Sequence, residues 1–173
     1  MNNVGIFEVK DFFAVDDAEW LRYVETNFMS GVRLARHYLP EMLTRNSGRI
    51  MFISSEAGVR PIPVLIPYSV TKAMQISVAR GLAELTKGTR VTVNSVLPGP
   101  TMTEGVMKAF GMDENVQSDN EETPKPFFDS ASLIQRFLDP DEVANATLYL
   151  GSAMGSGTNG AAFRVEGGII RHM

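Results

Sequence analysis

The 173-residue chain has no cysteine and only two histidines, His37 and His172. The first absence excludes disulfides and thiolate catalysis and fits a reducing cytoplasm. The second argues against a histidine-rich metal centre, so no metal is expected. No apolar run reaches the roughly 20 residues of a membrane helix, and the first residues do not read as a secretory signal. Basic residues are not in excess: 16 Lys and Arg stand against 20 Asp and Glu, a net charge of −4. Neither nucleic acid nor an anionic membrane is therefore an expected partner. What is present is ordinary for a globular protein, 44% hydrophobic and 21% charged residues. The length suits a single domain over 1–173 with its own core.

Periodicity divides the chain. Asp16 is a helix cap, with Glu19 at the third helical position. Leu21, Val24, Phe28, Ala35, Leu39 and Met42 then recur at helical spacing. Pro40 is placed to kink the last turns, and "NSG" at 46–48 stops the helix. "RIMFIS" (49–54) reads as a buried strand, and a second helix runs from about Tyr68 to Lys87. "VTVNSVL" (91–97) is a β-branched strand. Residues 98–128 are irregular, with 104–128 either a mobile lid or a pair of short helices; Asp139 caps a third helix over 139–150, and "AAFRV" (161–165) is the last strand. Alternating helices and strands predict an α/β fold, a parallel sheet with helices on both faces.

One short stretch bears on chemistry. In "PYSVTK" (67–72), Tyr68 and Lys72 are four residues apart and share a helical face. A phenol ordinarily titrates at about 10, and a nearby ammonium lowers that value. Such a tyrosine suits acid–base work on an alcohol or carbonyl. A plain surface Tyr–Lys pair has the same spacing. Its context is more specific: Ser54 and Ser55 end a predicted strand, and "LPGPTMT" follows the next one. The carboxyl ends of parallel strands are where open α/β sheets bind ligands. Asn27 is a poor mid-helix residue, and Val24 and Phe28 put it near the buried side.

Taken in order, these segments resemble the short-chain dehydrogenase/reductase family over nearly the whole chain. "NNVG" at 2–5 is similar to the family's Asn-Asn-Ala-Gly segment, with Val4 in place of alanine. Asn27, Ser55, Tyr68 and Lys72 match its catalytic tetrad. "NSVLPGPTMT" resembles the segment holding the nicotinamide carboxamide, and "VEGG" at 165–168 the closing strand and turn. The resemblance implies a Rossmann-like doubly wound sheet in three layers and NAD or NADP as cofactor. The implied substrate is a small alcohol or carbonyl compound. Tyr68 would shuttle the proton, Lys72 would lower the phenol pKa and hold the nicotinamide ribose, and Ser55 would orient the substrate. Asn27 would hold a water in the relay. Pro98, Gly99, Thr101 and Thr103 would fix the nicotinamide, and Asn3, Val4 and Gly5 would line the adenosine side. A homo-oligomer, dimer or tetramer, is also implied, and Ala73, Ser77 and Gly81 give the second helix a small-residue stripe for it.

The resemblance also implies what the chain does not carry. The family's domain has roughly 200–250 residues, and the present sequence starts where it is about a third complete, incomplete on the amino-terminal side. "GSAMGSG" (151–157) has the spacing of a phosphate turn, but a helix precedes it and a strand follows, so it reads as a linking loop. "RIMFIS" is then expected to form an exposed apolar edge, with sheet faces left bare. The chain alone is expected to be unstable or to pair with another. Residues 104–128 match the family's variable substrate lid, with Phe127 and Phe128 as lid anchors or core. The apolar "VRPIPVLIP" suits an apolar part of a substrate. The other reading is a catalytically inactive remnant acting as an association module.

Overall fold

A computed structural model describes residues 1–109 and 132–172. Asp16 accepts a hydrogen bond from the Glu19 amide, so the first helix begins where its cap stands. That helix is α1 (Asp17–Tyr23), a π turn (Val24–Met29) and α2 (Ser30–Thr44) in unbroken succession. Pro40 lies inside α2, which continues past it to Thr44. Leu21, counted in the apolar stripe, is 69% exposed. Asn46, at φ 53°, turns the chain out of the helix, a conformation its short polar side chain tolerates.

Strands β1 (Gly48–Ile53), β2 (Val91–Pro98) and β3 (Ala162–Val165) form a parallel sheet in the order β1-β2-β3. Between β1 and β2 runs α3 (Ile66–Glu84); a short α4 (Glu104–Ala109) and then α5 (Pro140–Gly151) precede β3. Asp139 and Glu142 close a reciprocal capping box on α5. Helices α2 and α3 bury Ala35, Leu39, Ala79 and Ala83 against Ile50, Phe52, Val91 and Val93 on one face of the sheet. On the other face, Leu150 of α5 packs on Met51 and Val96. The fold is therefore a three-layer α/β/α sandwich with β2 at its centre.

One expectation changes and another narrows. β1 stands at the edge of the sheet as expected, but its faces are not bare: Ile50, Met51 and Phe52 are buried, because the two helical layers cover both faces. Its backbone edge is bridged by Asn2, whose amide donates to Met51 O (2.8 Å) and whose carbonyl accepts from Ile53 N (2.9 Å). Of the two readings of 104–128, a mobile lid or a pair of short helices, the described part opens with the short helix α4. Residues 110–128 of the expected lid, with Phe127 and Phe128, lie outside the described residues. Residues 151–157 link helix to strand as their context indicates. A Cβ on Gly155 would fall 2.6 Å from Tyr149 O, so close chain packing accounts for that glycine. Ala73, Ser77 and Gly81 are exposed along one line of α3.

Candidate active site

The parallel strands deliver their carboxyl ends to one place. After β1 the chain reaches Ser54 and Ser55; after β2 it reaches Gly99, Pro100 and Thr101. The start of α3 presents Tyr68 and Lys72 beside both. Together they border a cavity of about 390 Å³. Among the residues singled out by sequence, Ser55, Tyr68, Lys72, Pro98, Gly99, Thr101 and Thr103 line it, with Asn3 and Gly5. Val4 does not, and its side chain is exposed. Asn27 lies behind the wall.

Local bonds set each side chain. Ser54 Oγ donates to Lys72 O (2.7 Å), clamping the strand end to α3. Ser55 Oγ accepts from Ala57 N (3.1 Å) and donates to Glu56 Oε2 (2.9 Å). The 3-10 turn Glu56–Gly58 presses on α3: a Cβ on Gly58 would lie 2.8 Å from the Lys72 carbonyl carbon. Lys72 Nζ donates to Ile53 O (2.7 Å) and Gln75 Oε1 (3.3 Å), and lies 5.3 Å from the centroid of the Tyr68 ring. The Tyr68 ring also packs on Phe7, 5.7 Å between centroids.

Asn27 occupies the π turn and is fully buried. Its Oδ1 accepts from Ile6 N (2.8 Å), and its Nδ2 donates to Ile6 O and Thr71 Oγ1 (both 3.0 Å). Gln75 Nε2 donates to its backbone carbonyl. The wider π turn gives this carbonyl a side-chain partner on α3, and the carboxamide pins residues 5–7 to the cavity wall. The carboxamide donors are both engaged with protein groups.

The electrostatics differ from the expectation for the Tyr–Lys pair. Burial lowers the Lys72 ammonium to about 8. Burial pushes the Tyr68 phenol up to about 12; the Ser55 hydroxyl opposes this, and the Glu56 carboxylate adds to it. The phenol is thus raised, not lowered. The reason is geometric: the ammonium lies over the ring face and bonds Ile53 O, so loss of hydration dominates at the phenol oxygen. Glu56 is also displaced, to about 7, mainly by burial.

The donor set fits a nicotinamide cofactor. Lys72 has three N–H groups and two protein acceptors, leaving one donor for a hydroxyl-bearing group. The Thr101 and Thr103 hydroxyls line the same cavity as the apolar surfaces of Ile53 and Pro98. Sequence reasoning did not single out Phe7, Glu56 or Gln75. For Glu56 the available signal was its place directly after the serine pair.

The family model described as enoyl-(acyl carrier protein) reductase matches residues 1–170. The chain is 55% identical, over 177 aligned positions, to the uncharacterized oxidoreductase YvrD of Bacillus subtilis, covering all of this chain and 67% of that protein. It is 45% identical to the uncharacterized oxidoreductase YvaG of the same organism, covering 99% and 66%. The structure of L-sorbose reductase from Gluconobacter frateurii, complexed with NADPH and L-sorbose, superposes with a TM-score of 0.87 at 29% identity, covering 99% and 66%. The chain thus spans about two thirds of the length of these relatives. With this match over its length and this fold, the chain belongs to the short-chain dehydrogenase/reductase family.

Proposed function

We propose that this chain carries the reaction centre of an NAD(P)-dependent oxidoreductase acting on a small alcohol or carbonyl compound. One observation carries the reading: Ser55, Tyr68 and Lys72 meet Thr101 and Thr103 on a single cavity at the strand carboxyl ends. Bound NADH or NADPH would supply the hydride. The reductase of Gluconobacter frateurii, whose structure holds NADPH, supports that choice of cofactor class. Lys72 and Tyr68 would hold the ribose, Thr101 and Thr103 the carboxamide, and Asn3, Val4 and Gly5 the adenosine side. Ser55 orients the substrate oxygen, and Tyr68 moves a proton at that oxygen. A phenol raised to about 12 is protonated at neutral pH, which suits donation to the oxygen of a carbonyl being reduced. Asn27 holds the wall on which these groups stand. Ile62, Leu65 and Val106 give the cavity an apolar flank for a hydrocarbon part of the substrate.

The chain acts as a single domain, residues 104–128 serve as its substrate lid, and it works in the cytoplasm. It assembles as a homo-oligomer through α2 and α3, for which the exposed small residues of α3 offer close approach. The test is titration of the 173-residue chain with NADH and NADPH, followed by nicotinamide fluorescence, then carbonyl-dependent cofactor oxidation. Saturable binding is expected. Tyr68→Phe should keep binding and lose on the order of 100-fold or more in turnover. A folded sample that binds neither cofactor would overturn the reading in favour of an inactive association module.

A further inference from the structure

The residue after Ser55 is an acid enclosed where water scarcely reaches: Glu56 is 5% exposed and lines the cavity. Its carboxylate takes the hydrogen of Ser55 Oγ at 2.9 Å. A hydroxyl has one hydrogen and two lone pairs. In Ser55 the hydrogen goes to Glu56 and one lone pair accepts from Ala57 N. What remains for the cavity is an acceptor, whereas a carbonyl substrate needs a donor. We propose that Glu56 is a positioning residue whose protonation decides whether Ser55 offers the cavity its hydrogen or its lone pair.

The step is a single proton uptake. Ionised Glu56 can only accept, so it holds the Ser55 hydrogen. When the carboxylate takes a proton from solvent, its O–H can donate to Ser55 Oγ, and the serine hydrogen is free to turn to the cavity. No other bond changes. The charged surroundings allow this to happen near neutrality. From α3, Tyr68 and Lys72 line the cavity with Glu56, and Lys72 spends its bonds on Ile53 O and Gln75 rather than on the acid. Strand β2 carries no titratable side chain. Beyond β3 stands Glu166, a like charge; Arg60, after the same turn, opposes it. Among the described residues no cation forms an ion pair with Glu56. Burial and Glu166 hold the carboxyl up at about 7, against the Ser55 and Ala57 donors.

The consequence for turnover rests on the oxidoreductase reading; the hydrogen bond does not, so two measurements separate them. In the first, the side-chain carboxyl carbon of Glu56 is followed by NMR against pH, in the wild type and in Ser55→Ala. Loss of the serine donor should move the Glu56 midpoint upward by about one pH unit. An unmoved midpoint, or one in the ordinary carboxylate range, overturns the proposal. In the second, NADPH-dependent carbonyl reduction is profiled against pH. Wild-type reduction should fall as pH rises through the Glu56 midpoint, and Glu56→Gln, neutral throughout, should lose that limb. A wild-type limb surviving in Glu56→Gln also overturns the proposal. Absence of turnover in every form would sink the oxidoreductase reading instead, and the carboxyl titration would still decide the role of Glu56.

Discussion

Lys72 and Glu56 are opposite charges kept in the same poorly hydrated wall, and they bias stability in opposite directions with pH. Lys72 is depressed to about 8 from 10.5. A depressed lysine costs stability below its folded value, where the buried amine must carry a proton, and that cost fades as pH rises from about 8 to 10.5. Glu56 is raised to about 7 from 4.5. Its neutral form is tolerated in the folded protein, so stability is lost as pH rises from 4.5, where the unfolded carboxyl ionises, to about 7. Lys72→Met should therefore gain on the wild type as pH is lowered from 10.5 to about 8, less a constant loss for the orphaned Ile53 carbonyl. Glu56→Gln should gain as pH is raised from 4.5 to about 7, with no further gain above that. Each swing is on the order of 3 kcal/mol across the full range, read from denaturant midpoints at several pH values. Offsets that do not change with pH would refute this account of the burial.

At the scale of elements, the π turn of the first helix ties the amino-terminal segment to α3. Asn27 meets both backbone groups of Ile6 and the Thr71 hydroxyl while fully buried. Asn27→Ala leaves both Ile6 groups without partners, while the Thr71 hydroxyl keeps its bond to Tyr68 O, at a cost of about 2–4 kcal/mol. Amide exchange at Ile6 should quicken more than at core amides such as Val93. Uniform loss of protection would mean that the carboxamide stabilises the whole fold rather than this attachment. Capping worked at shorter range: Asp16 and Asp139 start their helices through neighbours three or fewer residues away, which is why the starts of both helices were readable. The π turn was not, because its carbonyl partner, Gln75, is 48 residues away in sequence.

For the whole molecule, the open questions are assembly and edges. Gly81 on α3 is exposed, and a Cβ there would meet nothing within 4 Å. Gly81→Lys should leave the monomer folded, since a non-glycine residue suits a helix interior. If α3 joins two copies, the added charge and bulk should shift the sedimentation coefficient from oligomer to monomer. An unchanged oligomer would exclude this stripe from the contact. The expected bare faces illustrate how layers act together. A hydrophobic strand read in isolation looks unprotected, yet β1 buries its side chains because α2, α3 and α5 close over both faces.

Local chemistry and periodicity were enough for the alternation of helices and strands, the parallel sheet, both helix caps and the shared face of Tyr68 and Lys72, because spacing of two or four residues fixes which side chains share a face; Ser55 was joined to that pair by the family resemblance. Three-dimensional packing alone decided how those groups are charged. Whether a lysine lowers a neighbouring phenol depends on the ring's orientation and on how much water each atom keeps. Both are set by residues as far off as Phe7 and Ile53, and the result here is a raised Tyr68, a lowered Lys72 and a raised Glu56.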